Sequence, residues 1–509
     1  MSNIEIINTG KGVPTLKINN RLIHSGIDPI REAQKITESI SGYKIYIVFG
    51  LGLGYHIKAI LEKLNPLAVI VIENESVIEV FKNTNNIYDE RLKIFSTKEK
   101  DKIINFLEEF ITIKTISNIK FFYLNSIYPL YESEYKEVEN NIKTFLEYFF
   151  QSLFTEIEFS VLWHKNAILN IYNINKALSY AIEGDVVLIG AGPSLTKNIE
   201  LIKRLSKTTP IICVDTALKP LIYSGIIPDM IVSLDSQIHN YNDFLGINAK
   251  ILEKTILAFD ITSYNKIPEK FDNLLIFKTE NILKEFFEIF EERIKIEEVL
   301  PGGSVSASAL SLIYKLGARS ITLIGHDFEY NKITHSVSTP SYLKMLFTSD
   351  KKDTLYDKFN RIITKRGKRD LFMKNLKKWF EEFIENYKIE VYHIGSENRL
   401  KNAKYVIDRE IEGRIYSFKK IPKDLNFIKY KLNTLYKKLD DIRCSENLED
   451  FNRKIETLDE ITKNFINKIL IKQFLYLERK DYNPLLFLGG VFGVIDRIKR
   501  AIKISMGKL

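Results

Sequence analysis

Two segments of the chain each combine an apolar run, a glycine-rich turn and a stretch with helical spacing, and this pattern constrains the fold most strongly. In the first, residues 46–49 precede the turn at 50–54, and a second apolar run ends in Glu73. In the second, residues 186–189 precede the turn at 190–195. Strand, tight turn, helix and strand in this order form a βαβ unit, which requires a parallel sheet. The sequence therefore predicts an α/β protein.

The length of the chain predicts several domains. At ~100–200 residues for each domain, 509 residues correspond to about three domains. We predict a Rossmann-like N-terminal domain over residues 1–130, a helical connector over 131–183, a central doubly wound Rossmann-like domain over 184–404 and a helical domain over 405–509. Apolar residues at i, i+3, i+4 spacing indicate the helices of the last segment.

Composition narrows the classes of partner and compartment. Lys and Arg number 74 against 65 for Asp and Glu, and the net charge of +9 suits an anionic substrate but is too small a bias to indicate nucleic acid. The two cysteines, Cys213 and Cys444, exclude a disulfide scaffold and a cysteine-rich zinc site. The sequence shows no secretory signal and no apolar run near the ~20 residues of a transmembrane helix. We therefore expect a cytoplasmic protein without a transmembrane segment.

Polar segments of the central domain follow its strands or open its helices. In an open parallel sheet, ligands bind at the carboxyl ends of the strands. Glycine lets backbone N–H groups approach an anion, and a helix N-terminus adds partial positive charge. Two such turns in one domain favour a nucleotide ligand. The segments are residues 190–195, 215–216, 235–237, 301–308 and 325–329.

Each segment also has a purely structural interpretation. The turn at 190–195 is compatible with a glycine turn whose Pro193 opens a helix. Ser304, Asp215 and Asp235 are all residue types that cap helices, and His326 is compatible with a buried core histidine. The central domain has no D-x-D sequence, and the chain has no H-E-x-x-H or G-x-S-x-G pattern, so neither a divalent metal nor a serine hydrolase is indicated.

In combination, these motifs resemble a known family. Residues 190–195, 225–235 and 301–330, together with 163–166 and 28–33, resemble the motility-associated factor (Maf) family of bacterial flagellin glycosyltransferases, which have an MptE-like central domain. The central segment is also similar to bacterial sialyltransferases with a Gly-Asn-Gly-Pro-Ser-Leu motif. The resemblance implies a glycosyltransferase that moves pseudaminic or legionaminic acid from a CMP-activated donor to Ser or Thr of flagellin. The resemblance also implies that this transfer is required for flagellar assembly and motility and that the C-terminal helices bind flagellin.

The resemblance also implies site residues. The implied donor-binding residues are Gly190, Ala191, Gly192, Ser194, Asp215, Thr216, Asp235, Ser236, Gly302, Gly303, Ser304 and His335. The sialyltransferase histidine that acts as base aligns near Asp370, where no histidine stands. The catalytic residues are therefore expected among Glu329, His326, Asp327 and Asp370. Neither a cofactor nor a metal is expected, because N–H groups, hydroxyls and a helix N-terminus stabilise a departing phosphate monoester in a single inverting step.

Other functions fit parts of the same pattern. The MptE-like segment allows a 6-hydroxymethylpterin diphosphokinase that uses ATP and Mg²⁺. A non-catalytic flagellin-binding chaperone would keep the fold without the chemistry. Residues 46–73 allow a methyltransferase that binds S-adenosylmethionine, because an acid ~20 residues beyond such glycines often binds a ribose. The alternative is a Rossmann-like domain that binds no nucleoside.

Overall fold

The structure is a computed structural model, and it divides into two compact units, Met1–Glu156 and Ile157–Leu509. The residues described are 3–84, 87–112, 115–280, 282–290, 296–329, 349–351, 354–364, 366–395, 398–420, 425–477 and 483–508. The predicted α/β class is confirmed, with parallel sheets and a helical C-terminal region. The division into four domain segments stays a prediction, and its boundaries at 130, 183 and 404 fall inside the two units.

The first unit contains a small antiparallel sheet and a four-stranded parallel sheet in the order β6-β5-β4-β7. Its strands are β1 (Ile4–Asn8), β2 (Pro14–Ile18), β3 (Arg21–Leu22), β4 (Ile45–Phe49), β5 (Ala68–Glu73), β6 (Leu92–Ser96) and β7 (Ile119–Tyr123). Its helices are α1 (Pro29–Ser39), α2 (Tyr55–Leu64), α3 (Glu75–Thr84), α4 (Lys100–Phe110) and the start of α5 (Glu132–Asn170). Every residue of β4 and β5 is buried, as expected of central parallel strands that are covered on both faces.

The second unit is built on one large sheet. Its strands follow the order β13-β12-β11-β10-β9-β8-β14-β15-β16, and β17 pairs with β8. The strands are β8 (Leu178–Ile189), β9 (Ile211–Val214), β10 (Met230–Ser233), β11 (Ile256–Asp260), β12 (Asn273–Thr279), β13 (Glu297–Val299), β14 (Ser320–Ile324), β15 (Glu390–Ile394), β16 (Lys404–Val406) and β17 (Gly413–Lys420). In chain order, β8 is the first strand of this sheet, and β9 and β14 pair with its two opposite edges. This reversal of strand order is the point at which open α/β sheets bind ligands.

The helices of the second unit cover the sheet and form the C-terminal region. They are α6 (Ser194–Lys197), α7 (Ile199–Leu205), α8 (Asp215–Tyr223), α9 (Lys284–Ile289), α10 (Val305–Lys315), α11 (Leu355–Thr364), α12 (Arg366–Tyr387), α13 (Leu425–Arg443), α14 (Leu448–Glu456), α15 (Glu460–Ile469), α16 (Ile471–Leu477) and α17 (Pro484–Lys508). Leu432, Phe465 and Val491 of the last helices belong to the same buried cluster as Val187 of β8. None of the described helices is both long enough and apolar enough to cross a membrane.

The end of the predicted helical connector differs from the structure. Helix α5 ends at Asn170, and residues 178–183 belong to β8 rather than to a helix. Ile182 of β8 pairs with Ile415 of β17, and Ala181 pairs with Tyr416. The pairing strand is more than 200 residues away in the chain, so local periodicity contains no sign of it.

Candidate active site

A cavity of about 430 Å³ opens at the carboxyl ends of β8, β9 and β14. Its lining comes from the turn after β8, the start of α8, the start of α10, the loop after β14 and one face of α12. The described lining residues are Ala191, Gly192, Val214, Asp215, Thr216, Asp243, Ser304, Val305, Ser306, Gly325, His326, Asp327, Phe328, Phe372, Met373 and Leu376. The strand ends therefore bring together residues that are up to 185 positions apart in the chain.

The cavity gathers part of the predicted site. The predicted residues in its lining are Ala191, Gly192, Asp215, Thr216, Ser304, His326 and Asp327. Gly190, Ser194, Gly302 and Gly303 lie within two positions of a lining residue, and Glu329 is an exposed residue two positions beyond Asp327. His335 lies outside the described residues, and for Asp370 the structure describes only its place in α12.

The glycines at 190 and 192 allow two loops to pack closely. The Gly190 N–H donates to the carbonyl of Ile324 at 2.8 Å, and the Gly192 N–H donates to the carbonyl of Gly325 at 2.7 Å. A Cβ on Gly190 would lie 2.5 Å from the carbonyl oxygen of Gly325. These two amides are therefore used within the protein, and the expectation that they approach a phosphate does not describe their role. Among the described residues, the amide of Ala191 has no acceptor.

Asp327 anchors the same turn from the other loop. Its Oδ2 accepts hydrogen bonds from the backbone N–H and the hydroxyl of Ser194, both at 3.0 Å. Burial raises the pKa of this carboxyl, and the Ser194 bonds oppose that rise. No donor in the described part of the chain reaches Oδ1, which leaves one oxygen of a buried carboxylate available at the cavity.

His326 lies beside Asp327 as a neutral imidazole. Its Nδ1 lies 3.2 Å from the carbonyl of Ile324, which fixes the proton on Nδ1, and within the described residues Nε2 has no partner. Burial and, to a smaller extent, the nearby His393 lower the pKa of His326 from 6.5 to about 3. A group with so low a pKa is a weak base at neutral pH.

The start of α8 presents a carboxylate to the cavity. Asp215 is buried, and its Oδ1 accepts from the Thr216 N–H at 2.8 Å while its Oδ2 accepts from the Ser233 hydroxyl at 3.2 Å. Asn240 in turn donates to Ser233 at 2.8 Å. This chain of hydrogen bonds holds the Asp215 side chain in one orientation.

The start of α10 supplies the positive end of a helix dipole. Ser304 caps the helix, because its hydroxyl accepts from the Ala307 N–H at 3.2 Å. The amides of Val305 and Ser306 occupy the first turn, where N–H groups have no partner inside the helix. Across the cavity, α12 contributes an apolar wall formed by Phe372, Met373 and Leu376.

The sequence interpretation missed Asp243 and the apolar wall. Asp243 is buried and lines the cavity from a short 3₁₀ segment, Ile238–Asp243, rather than from a strand end. Lys219 of α8 donates to the carbonyl of Asn242 at 2.6 Å. No motif in the sequence distinguishes Asp243 from the other acidic residues. The apolar wall could have been predicted from the sequence, because apolar residues recur at helical spacing along α12.

Comparison with known proteins agrees with this architecture. Residues 164–332 match the family model described as 6-hydroxymethylpterin diphosphokinase MptE-like. The solved structure of a Maf glycosyltransferase from Magnetospirillum magneticum AMB-1 superposes on the chain with a TM-score of 0.57, covering 99% of this chain and 91% of that one at 13% sequence identity. The chain has the fold of a Maf glycosyltransferase. The resemblance stated from the sequence motifs is thereby confirmed at the level of the fold.

Two sequence relatives come from Treponema pallidum (strain Nichols), and each is described as an uncharacterized protein. One is 24% identical over 251 residues, which are 45% of this chain and 41% of the relative. The other is 32% identical over 90 residues, which are 17% of this chain and 43% of the relative. The matched part of this chain therefore covers less than half the length of either relative.

The predicted donor-binding residues Asp235 and Ser236 also lie outside the described lining. The Asp235 Oδ1 accepts from the Gln237 N–H at 2.9 Å, and the carbonyl of Ser236 accepts from the Asn166 side chain at 2.9 Å. Asn166 also donates to the carbonyl of Thr262 at 2.9 Å. Through these two hydrogen bonds, helix α5 contacts both the loop that follows β10 and the loop that follows β11. Among the residues that the structure describes, no group of three or more His, Cys, Asp or Glu side chains is arranged to hold a metal ion.

Proposed function

We propose that this chain is an inverting, metal-independent glycosyltransferase that moves a nonulosonic acid of the pseudaminic or legionaminic type from a CMP-activated donor to Ser or Thr of flagellin. The observation that carries the proposal is the cavity at the strand-order reversal of a fold shared with a Maf glycosyltransferase. The proposed role is flagellar assembly and motility, in the cytoplasm, with flagellin as the protein partner.

In this proposal the donor phosphate lies against the start of α10. The helix dipole and the N–H groups of Val305 and Ser306 are suited to an anion. The Ala191 amide and the Ser304 hydroxyl lie in the same lining. As the glycosidic C–O bond to the phosphate breaks, the departing CMP gains negative charge, and these donors stabilise it.

Asp327 is the proposed base. The acceptor hydroxyl attacks the anomeric carbon while its proton passes to Oδ1 of Asp327, so the C–O bond to flagellin forms as the bond to CMP breaks. A raised pKa makes a carboxylate a stronger base, whereas the lowered pKa of His326 makes the neighbouring imidazole a weaker one. Ser194 fixes Oδ2, which keeps Oδ1 directed for proton transfer.

The test is co-expression of the full chain with flagellin and with the enzymes that make the CMP-activated sugar, followed by intact-mass measurement of flagellin. We expect a mass increase with the wild-type chain and a rate about 10²–10⁴-fold lower with Asp327→Asn, the range typical of a lost general base. Asp272→Asn makes the same chemical change at an exposed position away from the lining and is expected to keep the wild-type rate. No mass increase with the wild-type chain would refute the function. Equal rates for both variants would refute only the base assignment.

The match to the MptE-like family model supports a second candidate, a pterin diphosphokinase. That enzyme would transfer diphosphate from ATP to 6-hydroxymethylpterin and release AMP. Incubation of the wild-type chain with ATP, Mg²⁺ and the pterin distinguishes the two candidates, because AMP release without flagellin modification favours the kinase. Flagellin binding with neither reaction would favour a chaperone.

A further inference from the structure

The glycine-rich turn of the first unit, residues 50–54, takes no part in the cavity described above. It connects β4 to α2, and all five of its residues are buried. A Rossmann-like turn that binds a nucleotide must expose backbone N–H groups to the phosphates. The partners of these five N–H groups therefore decide what the turn can bind.

All five N–H groups of the turn are used inside the chain. The Gly50 N–H donates to the carbonyl of Ile72 at 3.1 Å, and the Gly54 N–H donates to the carbonyl of Leu51 at 2.9 Å. The Leu53 N–H donates to Nε2 of His24 at 2.8 Å. The remaining two, those of Leu51 and Gly52, both point to one carboxylate oxygen, Oε2 of Glu73, at 2.6 and 3.4 Å.

Glu73 occupies the place in which an external anion would accept these bonds. It is the last residue of β5 and is fully buried. Its other oxygen, Oε1, accepts from the Asn74 N–H at 2.7 Å and from the Tyr135 hydroxyl. Within the described residues, four donors surround this carboxylate, and none of the four is a Lys or Arg side chain.

The surrounding residues leave no space for a larger ligand. A Cβ on Gly52 would lie 2.4 Å from Nε2 of His24, and one on Gly50 would lie 2.5 Å from the side chain of Ile127. Both glycines have a positive φ, at 52° and 110°. The turn needs glycine because the unit's own side chains pack on it, and this need remains without any nucleotide.

We propose that the turn at 50–54 is an anion-binding site whose ligand is built into the chain, the carboxylate of Glu73. Residues 50–54 and Glu73 then bind no nucleoside, because every N–H group of the turn and both oxygens of Glu73 already have partners in the chain. The interpretation of residues 46–73 as a methyltransferase site loses the two features on which it depends. With the Glu73 side chain removed, the vacated site takes a small monocarboxylate such as formate or acetate. Bulkier anions are excluded by His24 and Ile127.

Thermal unfolding of the full-length Glu73→Ala variant tests this proposal, with formate compared against chloride at equal ionic strength. We expect the variant to melt about 2–10 °C below wild type, because buried donors lose their acceptor. Formate should restore part of this loss along a saturable curve, as a ligand of the native state does, and chloride should not. The matched control is Ile57→Ala, which removes a buried apolar side chain of α2. Its melting temperature should be lower than that of wild type by the same amount in formate and in chloride. Equal effects of formate and chloride on Glu73→Ala would overturn the proposal.

A measurement on the wild-type chain keeps the proposal testable if Glu73→Ala does not fold. Hydrogen exchange at residues 51–54 is followed with and without S-adenosylmethionine or NAD. We expect neither compound to change the exchange rates. A saturable slowing of exchange confined to this turn would show that it accepts a nucleoside ligand and would overturn the proposal.

Discussion

Replacement of Gly192 by alanine tests the link between the glycine turn and the proposed base. The added Cβ would lie 2.1 Å from Oδ2 of Asp327 and 2.5 Å from the carbonyl oxygen of Gly325. Ordinary contact begins at 3.4 Å, so the carboxylate must move by about 1.3 Å. Gly192 does not have a positive φ, so alanine adds no backbone strain and the effect is steric.

The structure sets the size of both expected effects. A displacement of that size breaks the two Ser194 bonds to Asp327, which are 3.0 Å long. Hydrogen bonds to a charged group contribute about 1.5–3 kcal/mol each, and overpacking costs about 1–3 kcal/mol. Because the loops relax in part, we expect the free energy of unfolding to fall by about 3 kcal/mol. A catalytic group displaced by ~1 Å lowers the rate about 100-fold.

Urea unfolding of the full chain measures the first effect, and the initial rate of flagellin modification measures the second. The control is Gly493→Ala, because Gly493 lies exposed in α17 and its Cβ would meet no atom within 4 Å. A Gly192→Ala chain with wild-type stability and wild-type rate would refute the contact between the turn and Asp327. Lost stability with an unchanged rate would refute only the catalytic role of that contact.

Three further changes have expected outcomes. Gly493→Ala should raise the free energy of unfolding in urea by about 0.5–1 kcal/mol, because glycine weakens a helix interior; a decrease would contradict this. Asn170→Ala should lower it by about 2–3 kcal/mol, because the carbonyls of Ile261 and Ser263 each lose a 2.8 Å bond, and a loss below about 0.5 kcal/mol would show that water replaces the amide. Burial lowers the pKa of His164 from 6.5 to about 4. The unfolded chain therefore binds the proton first, and stability falls as the pH drops from about 6.5 to 4. His164→Gln should make the melting temperature depend less steeply on pH over this range, and an unchanged slope would assign the effect to the other buried histidines.

Local features of the sequence were sufficient to predict the fold class. Apolar runs such as 46–49 and 186–189 specify buried strands, and glycine with a following helical pattern specifies the crossover. These signals depend on neighbouring residues alone. The edge of the sheet that holds the cavity followed from the same signals, because the carboxyl ends of parallel strands all lie on one side.

Contacts between distant residues were not predictable in this way. Gly192 and Asp327 are 135 positions apart, and Asp243 reaches the cavity from a 3₁₀ segment without a motif. Residues 178–183 form a strand because β17 pairs with them. In each case the deciding partner lies far away in the chain, where periodicity and spacing carry no information.

The sequence by itself determined that this protein has two glycine turns on parallel sheets. Only the tertiary structure decided what each turn does, because function depends on which partners take the backbone N–H groups. In the first unit Glu73 and His24 accept the inner bonds of a fully buried turn. In the second unit Asp327 anchors the turn at one oxygen, and a cavity remains beside it. Similar local patterns of strand, glycine turn and helix thus lead to one closed turn and one candidate active site.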